Sequence, residues 1–160
     1  MKNFFNKRNN LFLILFISFA IIYVMLLGAY PLLEPDETRY VTMARDMFTS
    51  GNYLTLYLNG EYFFEKPPLF FWLESLSFWF FKDISEFTAR FPVVILSLLP
   101  LGLLFSLSEK VKNQKFAFLN SAILLTTLEY VLITKIAMLD SVLTSLVSSS
   151  VSVSYTHLTL

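Results

Sequence analysis

Three apolar stretches divide the chain, at residues 11–29, 91–107 and 116–133, and only the last of them contains a charged residue, Glu129. A helix needs about 20 predominantly apolar residues to cross the roughly 30 Å hydrocarbon core of a bilayer. Each stretch is close to that length. The pattern therefore predicts an all-α integral membrane protein with about three transmembrane helices.

Positive residues near these stretches predict how the chain is oriented. Lys2, Lys7 and Arg8 precede the first stretch, and three lysines lie in the short segment 108–115. Cytoplasmic loops carry an excess of Lys and Arg, so the N-terminus and this segment are expected in the cytoplasm. A cleaved signal peptide would start with similar charges, but its apolar region would be shorter than residues 11–29.

Residues 30–90, between the first two predicted spans, form the outer loop. Its first part predicts an amphipathic helix with Asp36 at the N-cap and Gly51 just beyond the end. The apolar residues of this segment recur with the spacing of one helix face. They are Tyr40, Met43, Ala44, Met47 and Phe48.

A β-hairpin and a second helix are expected in the rest of the outer loop. Asn59-Gly60 separates two β-prone runs, 54–58 and 61–64, which is a strong hairpin signal. Residues 67–81 are very apolar but short, begin with two prolines and contain Glu74. We expect this segment to lie in the membrane interface, because a span here would put the lysine-rich segment 108–115 outside.

Composition narrows the class of protein further. The chain is 56% hydrophobic and 15% charged, whereas soluble domains are about 45–50% apolar and about 25% charged. Lys and Arg together number 12, as do Asp and Glu, so no basic excess indicates nucleic acid as a partner. The absence of cysteine excludes disulfides, a thiol nucleophile and thiolate metal ligands.

Charge is concentrated in the outer loop, where 13 of the 24 charged residues lie between Asp36 and Arg90. Ionisable groups are costly in lipid, so this concentration indicates a working surface at the membrane face. The predicted topology also places Asp140, which follows the third stretch, on the same side as Asp36, Glu65 and Lys66. This shared side is the main argument from the residues themselves for a functional site.

These residue types are suited to group transfer from a lipid-linked phosphate donor. A carboxylate can act as general base toward a hydroxyl, and a lysine can hold a phosphate through its charge. Glu65 and Asp140 are candidates to share a divalent cation, or Glu65 to help bind zinc if histidines come from elsewhere. Structural alternatives stay open: Asp36 as a helix cap, and Glu65-Lys66 as an exposed ion pair.

Several short motifs follow one another in the outer loop: 35–40 (PDETRY), 43–47 (MARDM), 50–53 (SGNY), 58–60 (LNG), 62–68 (YFFEKPP) and Trp72. Together they resemble the first outer loop of bacterial C-type membrane glycosyltransferases in the protein-O-mannosyltransferase-like superfamily, which includes the 4-amino-4-deoxy-L-arabinose lipid A transferases. Residues 86–92 (EFTARFP) resemble the start of the second span in this family, and 138–140 (MLD) resemble its acidic position after the third.

The resemblance implies roles for single residues. Asp36 would be the catalytic base or would orient the acceptor, and Glu37, Arg39 and Tyr40 of the same motif would contact substrate. The remaining implied site residues are Glu65 and Lys66 at the donor phosphate, with Glu65 as a candidate metal ligand, and Asp140 on the same cavity. The implied reaction is inverting transfer of a sugar from a polyprenyl-phosphate donor to lipid A or a related glycolipid or glycan, at the periplasmic face of the bacterial inner membrane.

Two further expectations concern the class of protein and the end of the chain. The alternative to an enzyme is a non-enzymatic membrane protein, such as a transporter segment or a module that binds the lipid carrier. A transporter should carry ionisable groups within its spans, where only Glu129 is found.

Residues 1–147 are interpreted as the N-terminal part of a longer glycosyltransferase, and this part alone is expected to be inactive because most of the donor groove would be missing. Residues 148–160 depart from the apolar pattern and are expected to be a non-native tail.

Overall fold

The computed structural model describes residues 14–159 except residues 15, 19 and 22. Its described residues between 14 and 25 are helical, and turns follow at 26–28. The remaining elements follow in chain order: α1 (Asp36–Ser50), β1 (Leu56–Leu58), β2 (Glu61–Phe63), α2 (Leu69–Phe81), α3 (Glu86–Val111), α4 (Gln114–Thr126), α5 (Leu128–Ile133) and α6 (Leu139–Thr159). The protein is mostly helical with one small antiparallel sheet, as expected.

Helix α1 confirms the amphipathic prediction for the start of the outer loop. Its buried apolar residues are Tyr40, Val41, Met43, Ala44 and Met47. Gly51 ends the helix with φ +72°, in the left-handed region, and its N–H donates to the Met47 carbonyl. A residue with a Cβ is strained in this conformation, which explains the glycine.

The β-hairpin is also confirmed, with strands slightly shorter than predicted. Leu56 pairs with Phe63 and Leu58 with Glu61. Both turn residues have positive φ, +54° at Asn59 and +85° at Gly60, as a two-residue type I′ turn requires. Leu56 is buried in the same core as α1, which holds the hairpin against that helix.

Helix α2 packs against α1 and α3 through a set of buried aromatic residues. Phe70, Phe71 and Phe78 are fully buried, and the Ser77 hydroxyl donates to the Thr88 carbonyl of α3 at 2.6 Å. The opposite face exposes Leu76, Trp79 and Phe80. Thirteen residues cover only about 20 Å at the helical rise, well short of a bilayer core.

Helix α3 contains the second predicted span. It has 26 residues, and among the described residues it is the one helix that is long and apolar enough to cross a membrane. Residues 91–107 lie within it, so the helix extends beyond the predicted span at both ends.

The third predicted span, 116–133, is interrupted rather than continuous. Helix α4 ends at Thr126, and α5 starts at Leu128 after Thr127 adopts extended backbone angles. The hydroxyls of Thr126 and Thr127 donate to helix carbonyls, and Tyr130 donates to the Ser97 carbonyl of α3. This tertiary bond holds α5 against α3 after the break, and hydropathy does not reveal it.

The number of spans therefore stays a prediction. The first predicted span begins outside the described residues, and its described part is helical only as far as residue 25. Residues 148–159 continue α6 as helix. Helix formation does not test whether these residues are native, so the expectation of a non-native tail also stays a prediction.

Candidate functional site

Asp36 is the first residue of α1, and its side chain is 47% exposed. Its Oδ1 atom accepts a hydrogen bond from Arg39 Nη2 at 2.7 Å. The N-cap residue is Pro35, and no side chain caps the helix, so the prediction of Asp36 as N-cap is wrong. The second oxygen, Oδ2, has no hydrogen-bond partner among the described residues, and the carboxylate does not cap the helix.

Glu37, the next residue, lies in the interior instead, with 1% exposure. Its carboxylate forms a bidentate ion pair with Arg90 of α3, with Nε to Oε1 at 2.7 Å and Nη2 to Oε2 at 2.8 Å. Backbone N–H groups of Leu33 and Ala137 donate to the same carboxylate at 2.7 and 2.8 Å. Four hydrogen bonds use the acceptor positions of this carboxylate.

Arg90 is equally saturated and fully buried. Beyond its two bonds to Glu37, its guanidinium donates to the backbone carbonyls of Leu27, Tyr30 and Pro31. All five N–H donors of the guanidinium are therefore used. The Tyr30 ring also lies 4.0 Å from the guanidinium carbon, in a cation–π contact.

Together these contacts fix four segments around one point. The Glu37–Arg90 cluster, defined as these two side chains with their backbone partners, joins residues 27–33, α1, α3 and the segment before α6. Burial alone would raise the pKa of Glu37, but the hydrogen bonds from Arg90, Ala137 and Leu33 outweigh it and leave the pKa lowered. Glu37 is thus an ionised structural residue next to Asp36.

Asp140 is brought to this part of the molecule by the same cluster. It lies in the first turn of α6, three residues after Ala137, and its side chain is exposed. The Tyr30 hydroxyl supports this segment by donating to the Lys135 carbonyl at 3.0 Å. The segment carrying Asp140 therefore lies against the first turn of α1, which carries Asp36, although 103 intervening residues separate the two in sequence.

Arg39 and Tyr40, of the same motif, differ in their surroundings. Arg39 is 37% exposed in its side chain and bonds to Asp36. Tyr40 is 5% exposed, and its ring packs edge-on against Phe70 and Phe71. Tyr40 and Glu37 act as interior residues in this structure, and direct contact of either with substrate remains a prediction.

Glu65 and Lys66 follow β2 and precede the two prolines that lie just before α2. Glu65 is exposed and Lys66 half-buried. In the part of the chain that the structure describes, neither side chain forms an ion pair, so the alternative of a Glu65–Lys66 ion pair is not what the structure shows. Both remain free to contact a ligand, and their proximity to Asp36 remains a prediction.

The donor set for a metal at Glu65 is incomplete here. Among the described residues, no group of three or more His, Asp or Glu side chains gathers in a geometry that would hold a metal ion. One exposed carboxylate does not make a binding site for zinc or a hard divalent cation, which need several ligands. A metal at Glu65 therefore stays a prediction.

The chain was compared with known protein families and with their members. A family described as dolichyl-phosphate-mannose-protein mannosyltransferase (PMT) matches residues 10–158. The chain belongs to this family. As a PMT-family chain, it is similar to two undecaprenyl phosphate-alpha-4-amino-4-deoxy-L-arabinose arabinosyl transferases, from Wigglesworthia glossinidia brevipalpis and Serratia proteamaculans. Each is 34% identical to it, over 141 residues (86% of this chain) and 149 residues (92%), respectively.

Solved structures show the same relationship for the fold. ArnT from Cupriavidus metallidurans, in its apo state and bound to undecaprenyl phosphate, matches 88% of this chain with a TM-score of 0.82 and 27% identity. The chain covers 26% of ArnT and 25–26% of the two sequence relatives. It therefore spans about a quarter of the length of these PMT-family proteins.

Sequence reasoning missed the role of Arg90 in the Glu37–Arg90 cluster. The only sequence signal is an arginine four residues into a helix that continues as an apolar span, a costly position without a partner. That signal indicates that some carboxylate pairs with Arg90, but it does not select Glu37 among the acidic residues of the outer loop.

Proposed function

We propose that the protein containing this chain transfers a sugar from an undecaprenyl-phosphate donor to a hydroxyl of a glycolipid or glycan acceptor, lipid A being the first candidate. The relatives are transferases that are named for undecaprenyl phosphate-linked 4-amino-4-deoxy-L-arabinose. The observation that carries the proposal is the state of Asp36. Its carboxylate is half exposed with one free oxygen, while its neighbour Glu37 fixes the backbone at this point.

In the proposed reaction, Asp36 is the general base. Its free oxygen takes the proton of the acceptor hydroxyl while that hydroxyl oxygen forms a bond to the anomeric carbon of the donor sugar. The bond from the anomeric carbon to the phosphate oxygen breaks, and polyprenyl phosphate leaves with the electron pair. Attack opposite the leaving group inverts the anomeric centre.

Lys66 and Glu65 are assigned to the donor side of this reaction. An ammonium beside the departing phosphate stabilises the negative charge that develops there. Glu65 orients this lysine or the donor, and Asp140 lines the same cavity from the start of α6. No step of this mechanism passes through a metal ion.

We place the protein in the bacterial inner membrane as a multi-pass protein, with the N-terminus in the cytoplasm and the outer loop in the periplasm. The membrane-length helix α3 and the lysine-rich segment after it support this orientation. The exposed aromatic face of α2 is suited to the membrane interface, where Trp side chains are enriched. The lipid bilayer is therefore a partner of the chain, and nucleic acid is not.

The test replaces Asp36 by Asn in the full-length protein that carries this chain. Removing a general base lowers turnover by about 10²–10⁴-fold, so sugar transfer to lipid A from the undecaprenyl-phosphate donor should fall by that factor. The matched control is Asp46→Asn, which changes an exposed carboxylate on the same helix that contacts Arg45 at 3.6 Å. Equal turnover in both variants would contradict the assignment of Asp36.

A further inference from the structure

The connection between α3 and α4 carries a group of positive charges at the end of the membrane-length helix. Helix α3 ends at Val111 and α4 begins at Gln114, so two residues join them. Within residues 108–115, the lysine turn, Glu109 is the one acidic residue and three lysines are exposed: Lys110, Lys112 and Lys115. In the described part of the chain, none of these lysines forms an ion pair. The lysine turn therefore presents an excess of positive charge without a partner.

Hydrogen bonds fix the backbone of the lysine turn. The Lys112 N–H donates to the Ser108 carbonyl at 3.2 Å and closes the end of α3. The Asn113 side chain accepts from the Phe116 N–H at 3.0 Å and caps the start of α4. A ligand that contacts several of these lysines does not have to order the backbone between them, which lowers the cost of binding.

An apolar cavity lies beside the lysine turn. Its volume is about 270 Å³, and its walls from α3 and α4 are formed by Leu107, Ser108, Val111 and Phe116. A third wall comes from α6, from residues within the segment 148–160 that is expected to be a non-native tail. The walls from α3 and α4 lie outside that segment and provide the contacts on which the site depends.

The positive charge and the cavity meet at Phe116. The ammonium nitrogen of Lys112 lies 5.1 Å from the centre of the Phe116 ring, in a cation–π contact. The same ring lines the cavity, as does Val111, which is 56% exposed. The surface therefore holds a cation next to an apolar recess, at the end of a helix that is long enough to span the bilayer.

One class of ligand matches both parts of this surface. A free anion would contact the lysines and leave the apolar recess unfilled, whereas an uncharged lipid would leave the lysines without a partner. An anionic phospholipid offers a phosphodiester to the lysines and an acyl chain to the recess. Basic residues just outside a membrane-spanning helix attract such headgroups through their charge.

We propose that the lysine turn and the adjoining walls of α3 and α4 bind one anionic phospholipid of the cytoplasmic leaflet. The lysines contact its phosphate, and an acyl chain packs along Leu107, Val111 and Phe116. This site is remote from the candidate site for sugar transfer, since Arg90 and Val111 are about 30 Å apart at the helical rise of α3. It uses the proposed membrane placement of the chain and none of the proposed catalytic residues.

The test measures which phospholipid the intact chain retains. The chain is reconstituted in nanodiscs that contain phosphatidylglycerol and phosphatidylcholine with identical acyl chains, and is then released for native mass spectrometry. One phosphatidylglycerol per chain should be retained in preference to phosphatidylcholine. Lys112→Gln and Lys115→Gln should each lower this preference about fivefold, the contribution of one basic residue near an anionic membrane surface.

Two control variants show whether the position of the charge matters. Lys82→Gln also removes an exposed lysine, but one that directly follows α2, so it should leave the preference unchanged. Glu109→Gln removes the acidic residue of the lysine turn and should strengthen the preference. Equal retention of the two lipids, or equal losses in Lys82→Gln and Lys115→Gln, would overturn the proposal.

A competition experiment separates a phospholipid from a free anion. Inorganic phosphate and glycerophosphoglycerol carry the charge without acyl chains, so neither should displace the retained phosphatidylglycerol. Displacement by either would show that the lysines bind the headgroup alone and would overturn the lipid site. Retention of neither phospholipid would overturn it as well and would contradict the membrane placement. Sugar transfer does not involve these lysines, so none of these results bears on the assignment of Asp36.

Discussion

Two adjacent carboxylates at the start of α1 each pair with an arginine, and their surroundings are opposite. Asp36 bonds to Arg39 three residues along the same helix, and both side chains are well exposed, at 47% and 37%. Glu37 bonds to Arg90, 53 residues away on α3, and neither side chain is exposed. One pair leaves a carboxylate oxygen free, whereas the other uses every donor and acceptor it has.

The difference suggests separate roles for two consecutive residues: a proposed catalytic role for Asp36 and a structural role for Glu37. A catalytic base needs a free oxygen and exposure, and the Asp36 side chain is half exposed with a hydrogen bond to only one oxygen. A residue that fixes the backbone needs burial and saturated hydrogen bonds, which Glu37 has. Because Asp36 and Glu37 are consecutive, the buried Glu37–Arg90 pair fixes the backbone position from which the Asp36 carboxylate extends. The pairs should therefore respond to substitution in opposite ways, one in stability and the other in activity.

The largest effect on stability is expected from Glu37→Gln. Removing one partner of a buried ion pair costs about 3–5 kcal/mol, since the remaining charge stays buried without compensation. The free energy of unfolding of the chain in detergent should fall by that amount. Asp36→Asn, measured in the same way, should change it by less than about 1 kcal/mol, as is usual for exposed pairs.

Arg90→Lys sharpens this comparison without removing the positive charge. Lysine offers three rotatable donors in place of the planar five-donor fork, so it cannot reproduce both the bidentate contact and the three carbonyl contacts. We expect most of the loss seen with Glu37→Gln. Stability like that of the unsubstituted chain would show that charge alone holds the cluster together.

The second prediction concerns Glu74, a buried carboxyl that lacks the hydrogen-bond partners that Glu37 has. It is fully buried in α2, and neither of its oxygens has a partner among the described residues. Burial, and then the negative charge of Glu37, raise its pKa well above the ordinary value of 4.5. Glu74→Met, which removes the unsatisfied polar atoms at similar volume, should raise the free energy of unfolding by about 1–3 kcal/mol near neutral pH.

The pH dependence of the two carboxyls has opposite sign. The pKa of Glu74 is raised in the folded state, so its folded form holds the proton more tightly. Its contribution therefore decreases as pH rises from 4.5 toward the raised value. The pKa of Glu37 is lowered, so its contribution is present above 4.5 and is lost as pH falls through the lowered value. The free energy of unfolding should be measured by denaturant unfolding at several pH values. The decrease in this free energy as pH rises above 4.5 should disappear in Glu74→Met and remain in the exposed control Glu61→Gln.

The local parts of this fold were predictable from sequence. The spacing of Tyr40, Met43 and Met47, the glycine at 51 and the Asn59-Gly60 turn act within a few residues, and each produces the expected element. For the candidate site, the sequence predicted the helix that carries Asp36 and Arg39, whereas the roles of Asp36, Arg39 and Asp140 stay predictions. The helix spacing, the terminal glycine and the turn residues act through neighbouring residues in the chain, so the sequence alone is enough to predict them.

The parts that failed depend on contacts between distant residues. Nothing near Glu37 indicates that Arg90 will take its carboxylate, since the outer loop offers several acids and bases to each other. The break at Thr127 is likewise accompanied by Tyr130 reaching Ser97 on α3, a contact across 33 positions. The N-cap prediction failed for a local reason instead, because Pro35 takes the N-cap position and Asp36 becomes the first helical residue.

The third prediction separates the contribution of the Tyr30 ring, which lies over the Arg90 guanidinium, from that of the Tyr30 hydroxyl. Tyr30→Phe keeps the ring over the guanidinium and removes only the hydroxyl that donates to the Lys135 carbonyl at 3.0 Å. A hydrogen bond of this kind contributes about 0.5–1.5 kcal/mol, so the free energy of unfolding should fall by that much. Tyr30→Leu, which removes the ring as well, should cost more. Equal losses would show that the cation–π contact adds nothing to the cluster.

The smallest effect on stability is expected at the exposed pair. Arg39→Gln removes the guanidinium that bonds to Asp36, and solvent replaces it at little cost, so the free energy of unfolding should change by about 0–1 kcal/mol. Turnover in the full-length protein should nevertheless fall, because the carboxylate of Asp36 loses the group that orients it. Arg45→Gln, whose guanidinium lies 3.6 Å from Asp46 on the same helix, is the control for loss of a positive charge from α1. A stability loss at Arg39 as large as that at Arg90 would mean that the two pairs serve the same purpose, and the division between chemistry at Asp36 and structure at Glu37 would be wrong.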